Sequence, residues 1–262
     1  MKLMRKIDLF LGVLICYIFA IIQVIKKNLP FKPKTEEKIK KILVVKFLGI
    51  GSIILTTPAI LALKDEFPGA EIYYLTFKNN KEIVEILGLT QKNFYIETKT
   101  FYTFCLTTIQ TILKLRKERI NLMFDFEFFA KLPLVIGAVS KIRNKAGFYL
   151  ITEWWRKYLL TYHGYYNHYY HVKDIFLSLV YLVHYDDPYY LKFEDYSNKY
   201  ILPAIPPLPT NLEKAKKIIN NLGFNNQKSL IVINPNAGLE LALDLKRWPP
   251  EYFVELINKL NE

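Results

Sequence analysis

Residues 41–64, KILVVKFLGIGSIILTTPAILALK, set a strand, a glycine turn and a helix end to end. Ile42 to Phe47 is a run of apolar, largely β-branched residues interrupted only by Lys46, the pattern of a strand buried on both faces. Gly49 and Gly51 permit a tight turn with close backbone approach. Ser52 is positioned to cap a helix over Ile53 to Lys64, whose apolar positions are Ile53, Leu55, Ile60 and Leu63. Such a turn falls at the C-terminal edge of a parallel sheet, where open α/β folds bind their ligands. The same loop excludes two common signatures. Position 54 is Ile where a dinucleotide fingerprint needs a third glycine, and the next strand, Ile72 to Phe77, ends in no ribose-binding acid. The Gly-Lys-Ser/Thr of a P-loop is absent as well. Taken alone, the glycines serve strand–helix packing as readily as ligand approach.

A second element stands near the C-terminus. Leu230 to Ile233 reads as a buried strand, followed by the polar turn Asn234-Pro235-Asn236-Ala237-Gly238. Lys246-Arg247-Trp248-Pro249-Pro250 then leads into an amphipathic helix from Glu251, with the prolines where a helix start tolerates them. Two cations beside a turn rich in free amides suit a phosphate-bearing ligand. The plainer alternative makes Lys246 and Arg247 solvated surface charges and Trp248 a packing anchor.

In this order and spacing, the two elements resemble the heptosyltransferase-like glycosyltransferases, glycosyltransferase family 9. The family's first strand–turn–helix reads K-x-x-x-x-G-D-x-x-x-x-x-P, which Lys46, Gly51 and Pro58 match. Its second half opens with an N/H-P-x-A/G-like turn and then a basic residue with Trp-Pro. Asn234-Pro235-Asn236-Ala237 and Lys246-Arg247-Trp248-Pro249 match those. Between them, Asp125-Phe126-Glu127 with Lys131 resembles the D-x-Q/E…R/K segment, and Ala146-Gly147-Phe148 its usual continuation. The resemblance covers residues 40–262. It implies a GT-B architecture: a doubly wound Rossmann-like N-terminal domain and the start of a second Rossmann-like domain, facing each other across a cleft. It also implies transfer of a sugar, with heptose from ADP-heptose the family's usual donor. The acceptor is lipopolysaccharide core or another lipid-linked saccharide, and the anomeric carbon inverts. No cofactor or metal is called for beyond the nucleotide-sugar.

The resemblance assigns Gly49, Gly51, Asp125 and Lys131 to the acceptor, and Asn236, Ala237, Lys246 and Arg247 to the donor. One departure bears on chemistry. Ser52 stands where the family's best-known members carry an Asp proposed as the base, and a serine hydroxyl cannot accept a proton at neutral pH without a helper. Glu127, at a strand end on the same rim, is the candidate substitute, with Ser52 beside the reacting groups. The plainer reading makes Asp125 and Glu127 strand-end polar residues, or partners of Lys131. Two other functions compete: a nucleotide-cofactor oxidoreductase, against which the missing glycine and acid count, and a non-catalytic membrane-associated fragment or binding module, favoured by Ser52.

Strands and helices alternate from residue 41 to 150, as in a parallel, doubly wound sheet. The expected helices include 81–87, 104–118 and 129–139, and the expected strands 94–97, 121–126 and 144–150. A long helix from His168 to His184 follows. Pro203, Pro206, Pro207 and Pro209 mark a linker. The domains expected are a membrane-associating segment and basic linker (1–40), an acceptor domain (41–202) and an incomplete donor domain (203–262). A lone strand with two helices cannot build a sheet core, so the chain reads as part of a longer transferase.

The net charge of +12 favours anionic partners. Nucleic acid is not among them, because no helix carries a dense basic stripe and no recognition motif appears. Lys141, Arg143, Lys145, Arg156 and Lys157 around Trp154 and Trp155 suit a lipid headgroup layer, or simply a solvated face. Leu9 to Ile25 is apolar and flanked by Lys2, Arg5, Lys6, Lys26 and Lys27; at about 17 residues it is at the lower limit for a bilayer span. It reads as a membrane anchor, spanning or lying flat, which sets the protein at the cytoplasmic face of the inner membrane. Cys16 and Cys105 lack metal-ligand spacing and read as reduced apolar residues. His163, His168, His171 and His184 complete no metal pattern; His168 and His171 could share a helix face.

Overall fold

The computed structural model describes residues 8–28, 38–128, 130–149, 151–153, 155–184, 199–202, 204, 207–224, 230–235 and 248–261. The chain divides into two units, residues 2–205 and 206–262.

The first unit is built on a six-stranded, wholly parallel sheet. Its strands are β1 (Lys41–Val45), β2 (Glu71–Phe77), β3 (Lys92–Ile96), β4 (Leu122–Asp125), β5 (Asn144–Tyr149) and β6 (Tyr162–Tyr165), in the order β3-β2-β1-β4-β5-β6. β1 is central and its four apolar residues are fully buried, alternating between the two faces. Ile42 and Val44 join Ile72, Tyr74 and Phe124 on one side, while Leu43 and Val45 join Tyr73, Leu75 and Met123 on the other. This two-sided burial is why the strand reads as a continuous apolar run. The order reverses between β1 and β4, which makes the C-terminal ends of those strands the topological switch point.

Helices cover both faces. On the first face lie α2 (Ile50–Leu55), α3 (Thr57–Glu66), α4 (Lys81–Leu87) and α8 (Val172–Tyr181). On the second lie α5 (Phe101–Glu118) and α6 (Leu132–Val139). Outside α6, the N-terminal helix α1 (Val13–Asn28), entered through a π-helical turn at Asp8–Gly12, and the short α7 (Arg156–Leu159) share a small apolar cluster with Leu134 of α6. Among the described residues no helix is long and apolar enough to cross a membrane.

The helix expected over 53–64 is two helices, and Ser52 is not its cap. Gly49 takes the N-cap position, so Ser52 is the third residue of α2. The break at Thr56 has a local cause. Pro58 has no N–H for the Ile54 carbonyl. The Thr57 hydroxyl takes that carbonyl at 2.8 Å, and the Thr56 hydroxyl bonds Ile53 O at 2.7 Å. The long helix expected from His168 starts only at Val172, because the His171 ring accepts from Lys173 N and caps it; His168 and His171 therefore share no helix face. β6 is not foreshadowed in the sequence, since its residues sit inside a tyrosine-rich run.

In the second unit α9 (Pro209–Asn221) and α10 (Pro250–Asn261) are amphipathic helices. Leu230 to Ile233 is not a buried strand: residues 230–235 form no ladder, and Val232 is 83% exposed. A strand needs a neighbour to satisfy its N–H and C=O groups, and the described residues of this unit offer none.

Candidate functional site

The switch point gathers the first group of expected site residues. β1 ends at Val45, in register with Asp125 at the end of β4. Beyond them the two chains are bound together by Glu127. Its Oε1 accepts from Lys46 Nζ at 2.9 Å, Phe47 N at 2.7 Å and Leu48 N at 2.9 Å. Lys46 and Glu127 are both nearly inaccessible, so the pair is a buried ion bridge. From the other side Asn80 donates to Phe47 O at 2.7 Å, and Phe47 stacks on Phe77. The turn is thereby fixed from β2 and β4 at once.

The turn itself needs one glycine for its backbone. Gly49 has φ +83°, in the left-handed region, and a side chain there would also press on Ser52 Oγ. Gly51 is different. It is exposed, and an added Cβ would meet no heavy atom within 4 Å. Strand–helix packing therefore gives no reason for glycine at position 51, and the space beside it is open.

Behind Glu127 lies a second buried charge cluster, centred on Arg156. Its guanidinium donates to Phe148 O at 3.0 Å, Ala130 O at 3.4 Å and Glu127 O at 3.5 Å. It also reaches Glu153 Oε2 at 3.2 Å and Asp125 Oδ2 at 3.4 Å. Five donors in a planar fork meet five acceptors, an arrangement lysine cannot reproduce. Asp125 is fully buried, and its Oδ1 accepts from Glu127 N at 3.0 Å. Burial pushes its carboxyl up to about 7, against the opposing pull of Arg156. Lys131 is also buried and pairs with Glu153 Oε1 at 2.7 Å. Asp125 and Lys131 thus support the rim from behind.

Arg156, Lys145 and Trp155 do not belong to the surface basic cluster that the sequence suggests. All three are buried. Lys145 Nζ donates to Ile142 O at 2.7 Å, and burial lowers its pKa to about 8. Only Lys141, Arg143 and Lys157 of that group remain exposed, and Trp154 lies outside the described residues. Arg156 and Asn80 carry no motif and were not assigned to the site; nothing short of the folded chain places them beside it. Gly49, Gly51, Ser52, Asp125, Glu127 and Lys131 all fall at the C-terminal edge of the one sheet. Asn236, Ala237, Lys246 and Arg247 lie outside the described residues.

No protein-family model matches the chain, and no curated protein sequence does. Solved structures do match. A glycosyltransferase family 9 structure from Veillonella parvula DSM 2008 aligns with a TM-score of 0.66 at 16% identity, covering 87% of this chain and 61% of that one. E. coli ADP-heptose lipopolysaccharide heptosyltransferase II aligns at 0.60 and 16% identity, over 84% of this chain and 61% of that one. E. coli heptosyltransferase WaaC with ADP-2-deoxy-2-fluoro heptose aligns at 0.52 and 14% identity, over 84% of this chain and 65% of that one. The chain thus spans less than two thirds of the length of these proteins. What it shares with the family 9 glycosyltransferases and heptosyltransferases is their fold, here a six-stranded parallel α/β sheet of the GT-B type.

Proposed function

We propose that the protein belongs to a glycosyltransferase that moves a sugar from a nucleotide-diphosphate donor to a hydroxyl of a lipid-linked saccharide. Heptose from ADP-heptose and lipopolysaccharide core are the pair favoured by the fold's relatives. The observation that carries the reading is the rim at the switch point: an open turn at Gly51 held by the buried Lys46–Glu127 bridge, on a sheet with the heptosyltransferase fold. The acceptor lies over the Gly49–Ser52 turn. As its oxygen bonds to the anomeric carbon, the bond from that carbon to the phosphate oxygen breaks on the opposite side, which inverts the centre. The hydroxyl proton passes to Glu127, and the electron pair leaves with the diphosphate. Lys246, Arg247 and the amides of Asn236 and Ala237 stabilise the charge growing there, an electrostatic role that needs no metal. In this scheme residues 41–202 serve the acceptor and 203–262 begin the donor domain. The N-terminal segment holds the protein to the cytoplasmic face of the inner membrane.

Titration of the full-length protein with ADP- and UDP-sugars, and separately with NAD(P), tests the reading. Tight binding of a nucleotide-sugar is expected; binding of NAD(P) in its place refutes it. Glu127→Gln keeps an oxygen for the Phe47 and Leu48 amides but unpairs the buried Lys46, so its melting curve is read beside its kinetics: turnover per folded molecule should fall by about two or more orders of magnitude, and near-normal turnover removes Glu127 from the chemistry.

The alternative, a non-catalytic membrane-associated binding module, draws on Ser52, which offers a hydroxyl but no carboxylate at the third position of α2. It is the outcome if nucleotide-sugar binds and no transfer follows.

A further inference from the structure

Helix α1 is apolar on its outward side as well as on the side that packs on the domain. Its small residues lie deepest against the domain: Cys16 and Ala20 are buried against Leu134, Trp155 and Leu159, with Tyr17 and Phe19 partly buried beside them. Gly12, one turn earlier, lies so close that an added Cβ would stand 3.0 Å from Lys131 Cβ. A row of large apolar residues faces outward, with Phe10 78% exposed and Leu14, Ile18, Ile21 and Ile25 each about half exposed. No charged residue occurs from Leu9 to Ile25. A helix packed on a soluble domain normally keeps its apolar stripe inward and its charges in water.

The helix is also pinned to the domain at its beginning. Asp8 accepts from Lys131 N at 3.1 Å and Leu132 N at 2.9 Å, satisfying the first amides of α6. A second helix exposes an apolar row of its own. α5 packs beside α6 on the same sheet face and exposes Tyr102, Leu106, Ile109 and Leu113. At its C-terminal end Arg116 bonds Val139 O, which brings Lys114, Lys117 and Arg119 to the same end of the unit as Lys141 and Arg143.

We propose that the outward faces of α1 and α5 form one seat on an anionic lipid bilayer, with α1 lying in the plane of the membrane interface rather than crossing it. This deepens the membrane reading above but does not depend on the transfer chemistry. The apolar rows enter the headgroup–acyl boundary, and the lysines and arginines at their ends meet anionic headgroups. The Asp8 contact decides the orientation: a spanning helix would carry Asp8 across the bilayer, away from the α6 amides it caps. Charge also disfavours a second copy as the occupant. Lys2, Arg5 and Lys6 precede α1, while Lys26 and Lys27 end it, so two such helices set like charges together in either direction.

The test is flotation of the full chain with phosphatidylcholine vesicles, with and without phosphatidylglycerol. Flotation that requires phosphatidylglycerol and weakens in high salt is expected. Leu14→Asp/Ile18→Asp and, separately, Leu106→Asp/Ile109→Asp change exposed positions only. Each should keep the wild-type melting curve and lower the bound fraction roughly tenfold or more. A tag ahead of residue 1 should stay cleavable by protease added outside the vesicles. Wild-type flotation by either variant overturns the shared seat, and a protected tag overturns the in-plane orientation. A lipid-free dimer that Leu14→Asp/Ile18→Asp dissolves, with no vesicle binding, makes a second copy the occupant. None of these outcomes bears on nucleotide-sugar binding, so the two readings fail separately.

Discussion

Asp125 links the rim to solution pH. Its carboxyl sits at about 7 in the folded protein against 3.8 as the reference, because burial disfavours the charge more than Arg156 restores it. Between those values the folded chain holds a proton that the unfolded chain has released. The resulting stabilisation is complete below 3.8 and is lost as pH rises through about 7. A shift of about 3 units corresponds to about 4 kcal/mol in all, of which more than half falls between pH 5 and 8. Asparagine has the same shape and no titration. Asp125→Asn should therefore shift the whole curve by whatever the Arg156 pairing contributes, and flatten it. Urea melts of wild type and variant at about pH 5 and 8 give the difference directly, and subtracting one protein from the other cancels groups such as His163 that titrate in both. If Asp125→Asn loses as much stability over that interval as wild type, Asp125 is not the titrating group and the buried-carboxyl argument fails.

Other perturbations probe the same framework. Arg156→Lys should destabilise the first unit by about 3–5 kcal/mol in urea titration, since lysine strands most of the five acceptors and leaves Asp125 poorly paired; a loss under about 1 kcal/mol contradicts the central role of the fork. Gly49→Ala should cost about 1–2 kcal/mol through its positive φ, whereas an unchanged urea midpoint means the turn relaxes freely. Asp8→Ala should cost about 1 kcal/mol and speed hydrogen exchange at the Lys131 and Leu132 amides in particular. Unchanged exchange there would show that α1 is not held by that contact.

Local chemistry explains what was readable in advance and what was not. Strands buried on both faces announce themselves as unbroken apolar runs, so β1, β2 and β4 are legible, as is the glycine turn after β1. The break at Thr56 is also local, but it depends on which hydroxyl takes the carbonyl that Pro58 leaves without a donor, and composition does not say. β6 hides because its YHGY pairs only at the sheet edge, where burial is partial and no apolar run is required. The run from Leu230 errs in the other direction: apolar and β-branched, it has the pattern of a strand but no described partner.

Period, turn chemistry and motif order along the chain were enough to determine a parallel α/β sheet, its ligand edge and the likeness to family 9 transferases, since each depends on neighbours a few residues apart. The tertiary structure alone decided that Arg156 is a buried keystone and not a surface cation, that Glu127 holds the β1 turn through one oxygen, and that α1 turns a row of large apolar side chains outward. Those facts depend on which groups meet across 80 or 120 positions of sequence, as in Glu127 with Phe47 or Asp8 with Lys131. Burial and charge pairing exist only once the sheet has brought such residues together.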